Sequence, residues 1–390
     1  MVMVKQGGAA MVENEWRIEN PGGSQRVIVT KDLPGEHWLE VLKAADCRVE
    51  ICTSDTILTR MQIIDAIGNS CDGVIGQLTE AWGEELFIIL NAAGGKVYSN
   101  YAVGYNNIDI EAATAAGIAV GNTPGVLTET TAEMAVALTL AAARRVCEAE
   151  RFLRAGRYQG WLPNLFVGEL LEGKTVGIIG AGRIGSAYAM MMVKAHNMNV
   201  LYCDVNANVE LEKAVAAYSE FNQSQGGMPL RCTRCLNVED LLQQADCVSV
   251  HTLLDDSTYH LIDADRLVMM KENAILVNTS RGPVIDEAAL VAHARTHPDF
   301  RAGLDVFEHE PALADGLTEL DNIVAVPHIG SATQWTRTGM ASLAACNVAA
   351  VLHGYPVWNK DDFLEYLSFP VPQAVPSIIN AEALGLAMLP

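Results

Sequence analysis

Between Thr175 and Asp204 the chain reads strand, glycine turn, helix, strand, acid. Thr175-Val-Gly-Ile-Ile179 is a short apolar run, and Gly180-Ala-Gly182-Arg183-Ile184-Gly185 follows it directly. A helical pattern from Ser186 to Ala195 leads to a second apolar run, Asn199-Val-Leu-Tyr-Cys203, which ends at Asp204. A glycine triplet of the G-x-G-x-x-G type is weak evidence alone, but this order is the context it requires. The first glycine permits a tight turn, the second lets backbone approach a pyrophosphate, and the third lets helix and strand pack closely. The helix N-terminus then offers N–H donors to the anion.

Asp204 lies 19 residues beyond Gly185, where an acid is expected to meet the adenosine ribose hydroxyls. Its charge would repel a 2′-phosphate, and no Lys or Arg stands between Cys203 and Val209. The cofactor expected from these residues is therefore NAD(H), not its phosphorylated form.

The rest of the chain repeats the α/β style. Apolar runs at Cys247–Val250, Ala274–Asn278, Ala302–Asp305 and Ile323–Val326 complete a doubly wound sheet with the two strands above. An earlier series at Arg26–Thr30, Cys47–Ile51, Asp72–Gly76, Lys96–Ser99 and Ile118–Gly121, with helical patterns between, builds a second sheet. The fold class expected is α/β, with two doubly wound parallel-sheet domains and a cleft between them. One is a Rossmann-type cofactor domain of residues 122–331. The other is a flavodoxin-like substrate domain of residues 1–121 plus 332–390. The helical stretch Thr128 to Arg145 is apolar around most of its surface, so it must be buried in a core or against another subunit. That feature supports a two-fold dimer. The proline-dotted segment from Tyr355 to Pro390 is expected to lie extended over the surface.

Composition narrows the partners. Lys plus Arg number 26 against 47 Asp plus Glu, a net charge of −21, which disfavours nucleic acid and anionic membrane surfaces. The apolar run Met134–Ala143 is far shorter than the roughly 20 residues of a membrane span. Glu13, Glu15 and Glu19 are unlike an acid-poor transit peptide. Nine scattered cysteines suggest reduced thiols, and Cys232-x-x-Cys235 has no second pair to complete a zinc site, so it reads as a surface-loop coincidence. No metal is expected.

Three segments follow late strands and carry the chemistry. They are Asn278-Thr-Ser-Arg281-Gly, Asp305-Val-Phe-Glu-His-Glu310-Pro311 and Pro327-His328-Ile-Gly-Ser331. In open α/β sheets the ligand lies beyond the carboxyl ends of the strands, so Arg281, Glu310 and His328 are placed to converge near the cofactor. Arginine offers a planar fork for a carboxylate. Histidine exchanges one proton near neutral pH, and a carboxylate beside it fixes its tautomer. Singly, each is more often an exposed helix-cap residue, a solvated loop acid or a satisfied strand-end histidine. Together, in a dinucleotide domain, they suit hydride and proton transfer on a 2-keto acid.

With these residues in view, the chain resembles the D-isomer-specific 2-hydroxyacid dehydrogenases from about Arg26 to Leu386. More narrowly it resembles the photorespiratory hydroxypyruvate reductases, or NADH-dependent glycerate dehydrogenases, of plants and green algae. The specific stretches are Cys71–Thr79, Val103-Gly-Tyr-Asn-Asn-Ile-Asp109, Gly121–Ala132, Gly160-Trp-Leu-Pro163 and Val277–Ala288. The resemblance implies Arg281 as substrate anchor, His328 as acid/base and Glu310 as its partner. It also implies that the N–H groups of Val103 and Gly104 receive the substrate carboxylate. Thr252, Thr279, Ser280 and Asp305 would line the nicotinamide half of the cofactor site. Trp161 would help shape the active site of a neighbouring subunit in a homodimer; simple core packing is its equal rival. The activity implied is NADH-dependent reduction of hydroxypyruvate to D-glycerate, and of glyoxylate to glycolate. Two other readings stay open: a dehydrogenase for another D-2-hydroxy acid, and a non-catalytic dinucleotide-sensing protein of the corepressor type. The chain departs from the family pattern at Leu253, where proline is usual. It also ends in Met388-Leu389-Pro390 where the plant enzymes carry a peroxisomal tripeptide, so the mitochondrial matrix or cytosol is expected over the peroxisome.

Overall fold

The computed structural model describes residues 16–359 and 363–389. Glu13, Glu15 and Pro390 lie outside the described residues. The chain divides into two compact units. One runs to Val126 and resumes at Gln334, and the other is Leu127–Thr333.

The first unit holds a six-stranded sheet. Its strands are β1 (Trp16–Glu19), β2 (Gln25–Val29), β3 (Cys47–Cys52), β4 (Gly73–Gly76), β5 (Val97–Asn100) and β6 (Ala119–Gly121), in the order β1-β3-β2-β4-β5-β6. From β3 to β6 all neighbours are parallel, in the flavodoxin-like order. β1 adds an antiparallel edge with Trp16 opposite Cys52, which the sequence pattern did not anticipate. Parallel strands with both faces covered read as continuous apolar runs, and β4 and β5 are buried throughout. The Gln334–Leu352 helix packs on β4 and β5 and on the His37–Ala44 helix, and most of its length is buried. Trp82 and Tyr98, with ring centroids 4.2 Å apart, sit in the core together with Phe87.

The segment after Tyr355 does not simply lie over the surface. Ala374, Val375, Ile378 and Ala381 are buried, and Ile378 bridges antiparallel to Gly121 on β6. Asn380 completes the contact. Its Oδ1 accepts the Val120 N–H at 2.9 Å, and its Nδ2 donates to the Ile118 carbonyl at 2.9 Å and to Thr114 Oγ1 at 3.0 Å. The reason is the open side of β6, whose backbone groups need partners. Few periodic apolar positions were visible because side-chain amides make part of this contact.

The second unit holds seven parallel strands: β7 (Thr175–Ile179), β8 (Asn199–Cys203), β9 (Cys232–Arg234), β10 (Cys247–Val250), β11 (Ile275–Asn278), β12 (Arg301–Leu304) and β13 (Ile323–Ala325). Their order is β13-β12-β11-β10-β7-β8-β9, so the winding reverses between β7 and β10. That reversal is the topological switch point at which open α/β sheets bind ligands. β9 was not anticipated, because three residues reading Cys-Thr-Arg carry no apolar run. Its presence corrects the reading of Cys232 and Cys235 as a loop coincidence. Cys232 packs into one core of this unit and Cys235 into the other, and all nine cysteines are free.

The apolar helix spans Thr128–Ala143 and ends before Arg145, whose φ is +53°. A second helix, Val146–Arg154, follows. Ala132, Ala135, Leu138 and Ala142 of the first are buried against the Arg183–His196 helix, β11 and β12 of the same unit. This helix therefore needs no second subunit to cover its buried face. Among the described residues, no helix is long and apolar enough to cross a membrane.

Candidate active site

The glycine turn sits at the switch point. Gly180 has φ +88°, and a Cβ there would meet the His251 carbonyl carbon at 2.8 Å and the Thr252 nitrogen at 2.9 Å. Any side chain would be both strained and blocked. A Cβ on Gly185 would collide with the Gly180 carbonyl oxygen, so helix and strand approach as closely as backbone allows. Gly182 faces open space and caps the Arg183–His196 helix, where Arg183 and Ile184 form the first turn. Asp204 shapes this turn from β8. Its Oδ2 accepts the Ala181 N–H at 2.8 Å, and its Oδ1 accepts the Asn206 N–H at 3.2 Å. Ala181, Gly182, Asp204, Asn206 and Asn208 line one depression.

A dinucleotide fits these residues. Thr252 Oγ1, just beyond β10, and Thr279 Oγ1, just beyond β11, are buried without a hydrogen-bond partner. An unpartnered buried hydroxyl is costly, and a ligand polar group would relieve it. His251, between the turn and Thr252, lies with Nε2 2.8 Å from Ser249 Oγ, and burial pushes its pKa down to about 3.

The loop after β11 is built around Asn278, which sequence reasoning missed. Its Oδ1 accepts from both the N–H and the hydroxyl of Ser280, at 3.0 and 2.9 Å. Its Nδ2 donates to the Arg281 carbonyl at 2.9 Å. The visible signal was an Asn two residues before a Ser at a strand end, the pattern of an Asx turn. Arg281 donates from Nη1 to the Ser280 carbonyl at 2.7 Å. Burial lowers the Arg281 pKa, and the charge of Glu310 acts in the opposite sense, so the two lie within electrostatic reach.

The loop after β12 holds Glu310. Glu310 Oε1 accepts the Phe307 N–H at 3.0 Å, and Oε2 lies 2.8 Å from His328 Nδ1. Burial alone would raise the Glu310 pKa. The hydrogen bond and charge of His328, the Phe307 N–H and the charge of Arg281 outweigh it and hold the carboxyl below its ordinary range. Glu287 and Glu308 brace this loop: each accepts the other's backbone N–H, at 2.7 and 3.2 Å, and Glu308 Oε1 lies 2.8 Å from His260 Nε2.

His328 follows β13 with φ +52°, a left-handed conformation rare for a residue with a side chain. Asp305 holds it there. The Asp305 carbonyl accepts the His328 N–H at 2.9 Å, and its two carboxylate oxygens accept the Ile329 and Gly330 N–H groups at 2.6 and 2.8 Å. Burial raises the Asp305 pKa against these two hydrogen bonds and the charge of His328. Both carboxylate oxygens of Asp305 are thus engaged within the protein. His328 Nε2 makes no hydrogen bond among the described residues.

The remaining residues singled out in the sequence lie elsewhere. In the first unit, the loop after β5 carries Val103 and Gly104. Asn122 Nδ2 donates to the Val103 carbonyl at 2.9 Å and Asn100 Nδ2 to the Gly104 carbonyl at 3.0 Å. These bonds fix the loop by its carbonyls, and neither N–H donates to a described residue. In the second unit, Trp161 is 80% exposed, which excludes core packing within its own chain.

Comparison with known proteins agrees with this architecture. Residues 136–330 match the sequence profile of the D-isomer specific 2-hydroxyacid dehydrogenase, NAD binding domain. The peroxisomal glycerate dehydrogenase HPR of Arabidopsis thaliana is 57% identical over 374 residues, 95% of this chain and 97% of that protein. The glyoxylate reductase of Thermococcus litoralis is 40% identical over 334 residues, 84% of this chain and 94% of that one. Among solved structures, the TT0316 protein of Thermus thermophilus matches with a TM-score of 0.75 and 36% identity, over 91% of this chain and all of that one.

Proposed function

We propose, from the premise that this chain belongs to the D-isomer specific 2-hydroxyacid dehydrogenases, that it reduces hydroxypyruvate to D-glycerate with NADH, and glyoxylate to glycolate by the same chemistry. The observation that carries the reading is the His328–Glu310 pair at 2.8 Å, with Arg281 in the field of the same carboxylate.

NADH held at the glycine turn and by Thr252 and Thr279 would supply the hydride that the keto carbon takes. The Arg281 fork grips the substrate carboxylate and carbonyl oxygen. The free N–H groups of Val103 and Gly104 support the family's assignment of a carboxylate contact there. Negative charge builds on the carbonyl oxygen, and His328 delivers a proton to it from Nε2, since Nδ1 faces Glu310. Glu310 holds the ring through Nδ1, and the ring must carry a proton on Nε2 before reduction. Asp305 acts on His328 through the backbone of the His328–Gly330 turn, and Thr252, Thr279 and Ser280 would frame the nicotinamide.

The working form in this proposal is a homodimer. Support comes from the stretch after the Thr128–Ala143 helix. Leu153, Tyr158, Trp161, Leu162, Val167 and Leu170 are all exposed, and the Val146–Arg154 helix buries none of its residues. Exposed apolar sets of this kind mark protein contacts.

A steady-state panel of 2-keto acids with NADH tests the function. Hydroxypyruvate should give the highest kcat/KM, with glyoxylate second. Preference for pyruvate or a longer acid would make this a dehydrogenase of another substrate. Tight NADH binding without turnover of any acid would favour the sensing reading.

A further inference from the structure

The turns that carry Arg281 and Glu310 touch through backbone. A Cβ on Gly282 would lie 1.9 Å from the Phe307 carbonyl carbon and oxygen, and 2.5 Å from the Glu308 nitrogen. His260, in the loop after β10 that begins near Thr252, fastens both turns and has no part in the reaction steps above. Its N–H donates to the Pro283 carbonyl at 2.8 Å, and the Ile262 N–H donates to the Val284 carbonyl at 3.0 Å. Its ring reaches the other turn, with Nε2 2.8 Å from Glu308 Oε1. Glu308 stands two residues before Glu310. Its Oε2 accepts the Glu287 N–H, and the Glu287 carboxylate accepts the N–H groups of Glu308 and Ala314 at 2.7 and 2.9 Å.

The protonation of this contact follows from its surroundings. Burial raises the Glu308 pKa, but the hydrogen bond and charge of His260, the Glu287 N–H and the charge of His309 outweigh it. Glu308 is therefore ionised at neutral pH, and His260 Nε2 is the donor. Nδ1 stands 3.9 Å from Asp286 Oδ2, too far for a hydrogen bond, so the bond to Glu308 is the ring's one hydrogen bond among the described residues. The ring also stacks on Tyr259, with centroids 4.1 Å apart. His260 has φ +48°, a conformation that glycine takes without strain. Contacts of the ring must offset that strain.

Resting on the reaction proposed above, we propose that His260 is a positioning residue for it. One residue holds the Arg281 turn by its backbone and the Glu310 turn by its ring. It thereby keeps the group that grips the substrate in register with the carboxylate that orients the proton donor.

The test is steady-state reduction of hydroxypyruvate by the full chain at saturating NADH, beside calorimetric titration of NADH. His260→Phe keeps a ring on Tyr259 and removes the donor. Its kcat should fall by about ten- to a hundred-fold, the scale of a small misplacement of reacting groups, while the NADH Kd moves by less than about three-fold. His260→Gln sets an amide N–H near the place of Nε2 and should recover kcat to within about three-fold of wild type. His260→Asn suits the left-handed backbone, but its amide ends near the place of Nδ1, so it should stay as low as His260→Phe. Glu308→Ala should lower kcat by a similar factor, and adding His260→Phe to it should cost little more, because both act through one bond. Wild-type kcat in His260→Phe, a Gln variant no better than Asn, or multiplied losses in the double variant would each overturn the inference. So would a parallel loss of NADH binding, which marks a general brace of the fold. If His260→Phe fails to fold, the comparison of Gln with Asn decides the question. If the wild type prefers another 2-keto acid, the same comparisons are made on that acid, and only the substrate assignment falls. A wild type that reduces no 2-keto acid overturns both readings.

Discussion

His328 occupies a backbone conformation that costs a non-glycine residue about 1–2 kcal/mol. Asp305 offsets that cost with a carbonyl and two carboxylate oxygens aimed at three consecutive N–H groups. The proposed proton donor is thus positioned by its backbone and oriented by Glu310. If His328 donates the proton, His328→Gln should lower kcat for hydroxypyruvate reduction by roughly 10²–10⁴-fold, with NADH binding retained by titration. The pH dependence expected from the pair is an acid limb. Glu310 is held below the ordinary carboxylate range, so it stays ionised at neutral pH, and the pair is lost only as pH falls through that depressed range. Glu310→Gln should cost less than His328→Gln and abolish the acid limb, because the carboxylate whose protonation breaks the pair is gone. A profile unmoved in that variant would remove Glu310 from the proposed pair. Arg281, Glu310 and His328 were legible in the sequence only as a set, because all three follow apolar strands of one dinucleotide sheet. The clamp by Asp305 was not, because its partners stand 24 and 25 residues further on, across β13.

The strands that were legible are those buried on both faces, where apolar runs have no alternative meaning. β1 and β9 are short edge strands carrying charges, and their pairing is set by the neighbour they meet, not by their own pattern. The segment after Tyr355 shows the same limit. Its contact with β6 rests largely on Asn380, a residue that a hydrophobicity pattern counts as loop. Asn380→Ala would strand the Val120 N–H and the Ile118 carbonyl in a buried setting. Each unsatisfied group costs about 1–3 kcal/mol, so the variant should lose about 2–6 kcal/mol in urea unfolding followed by circular dichroism. A loss under about 1 kcal/mol would mean that the tail is not fastened through this residue. The glycine turn was legible for the opposite reason: backbone collision at Gly180 and Gly185 leaves glycine as the residue that fits.

At the scale of the whole molecule, the Thr128–Ala143 helix was expected to bury its apolar surface in a core or a second subunit, and the core of its own unit takes it. The proposed dimer now rests on the exposed residues between Leu153 and Leu170. Light scattering at micromolar concentration should give a particle of twice the 42.0 kDa chain. Leu153→Asp combined with Leu170→Asp should yield monomers that still bind NADH. A monomeric wild type would sink the dimer. The two units also differ in how the chain builds them. Leu127–Thr333 is one uninterrupted stretch, whereas its companion needs residues before Val126 and after Gln334. During synthesis, the dinucleotide unit can close as soon as its last strand leaves the ribosome, since domains tend to fold as units from the N-terminal side. The other unit must wait, with β6 lacking Asn380 and β4 and β5 lacking the Gln334–Leu352 helix, until the end of translation. A nascent chain halted once Thr333 has cleared the ribosome should therefore protect the glycine turn from protease while leaving β4 to β6 open to cleavage. The half-made protein would depend on chaperones for its first sheet and not for its second.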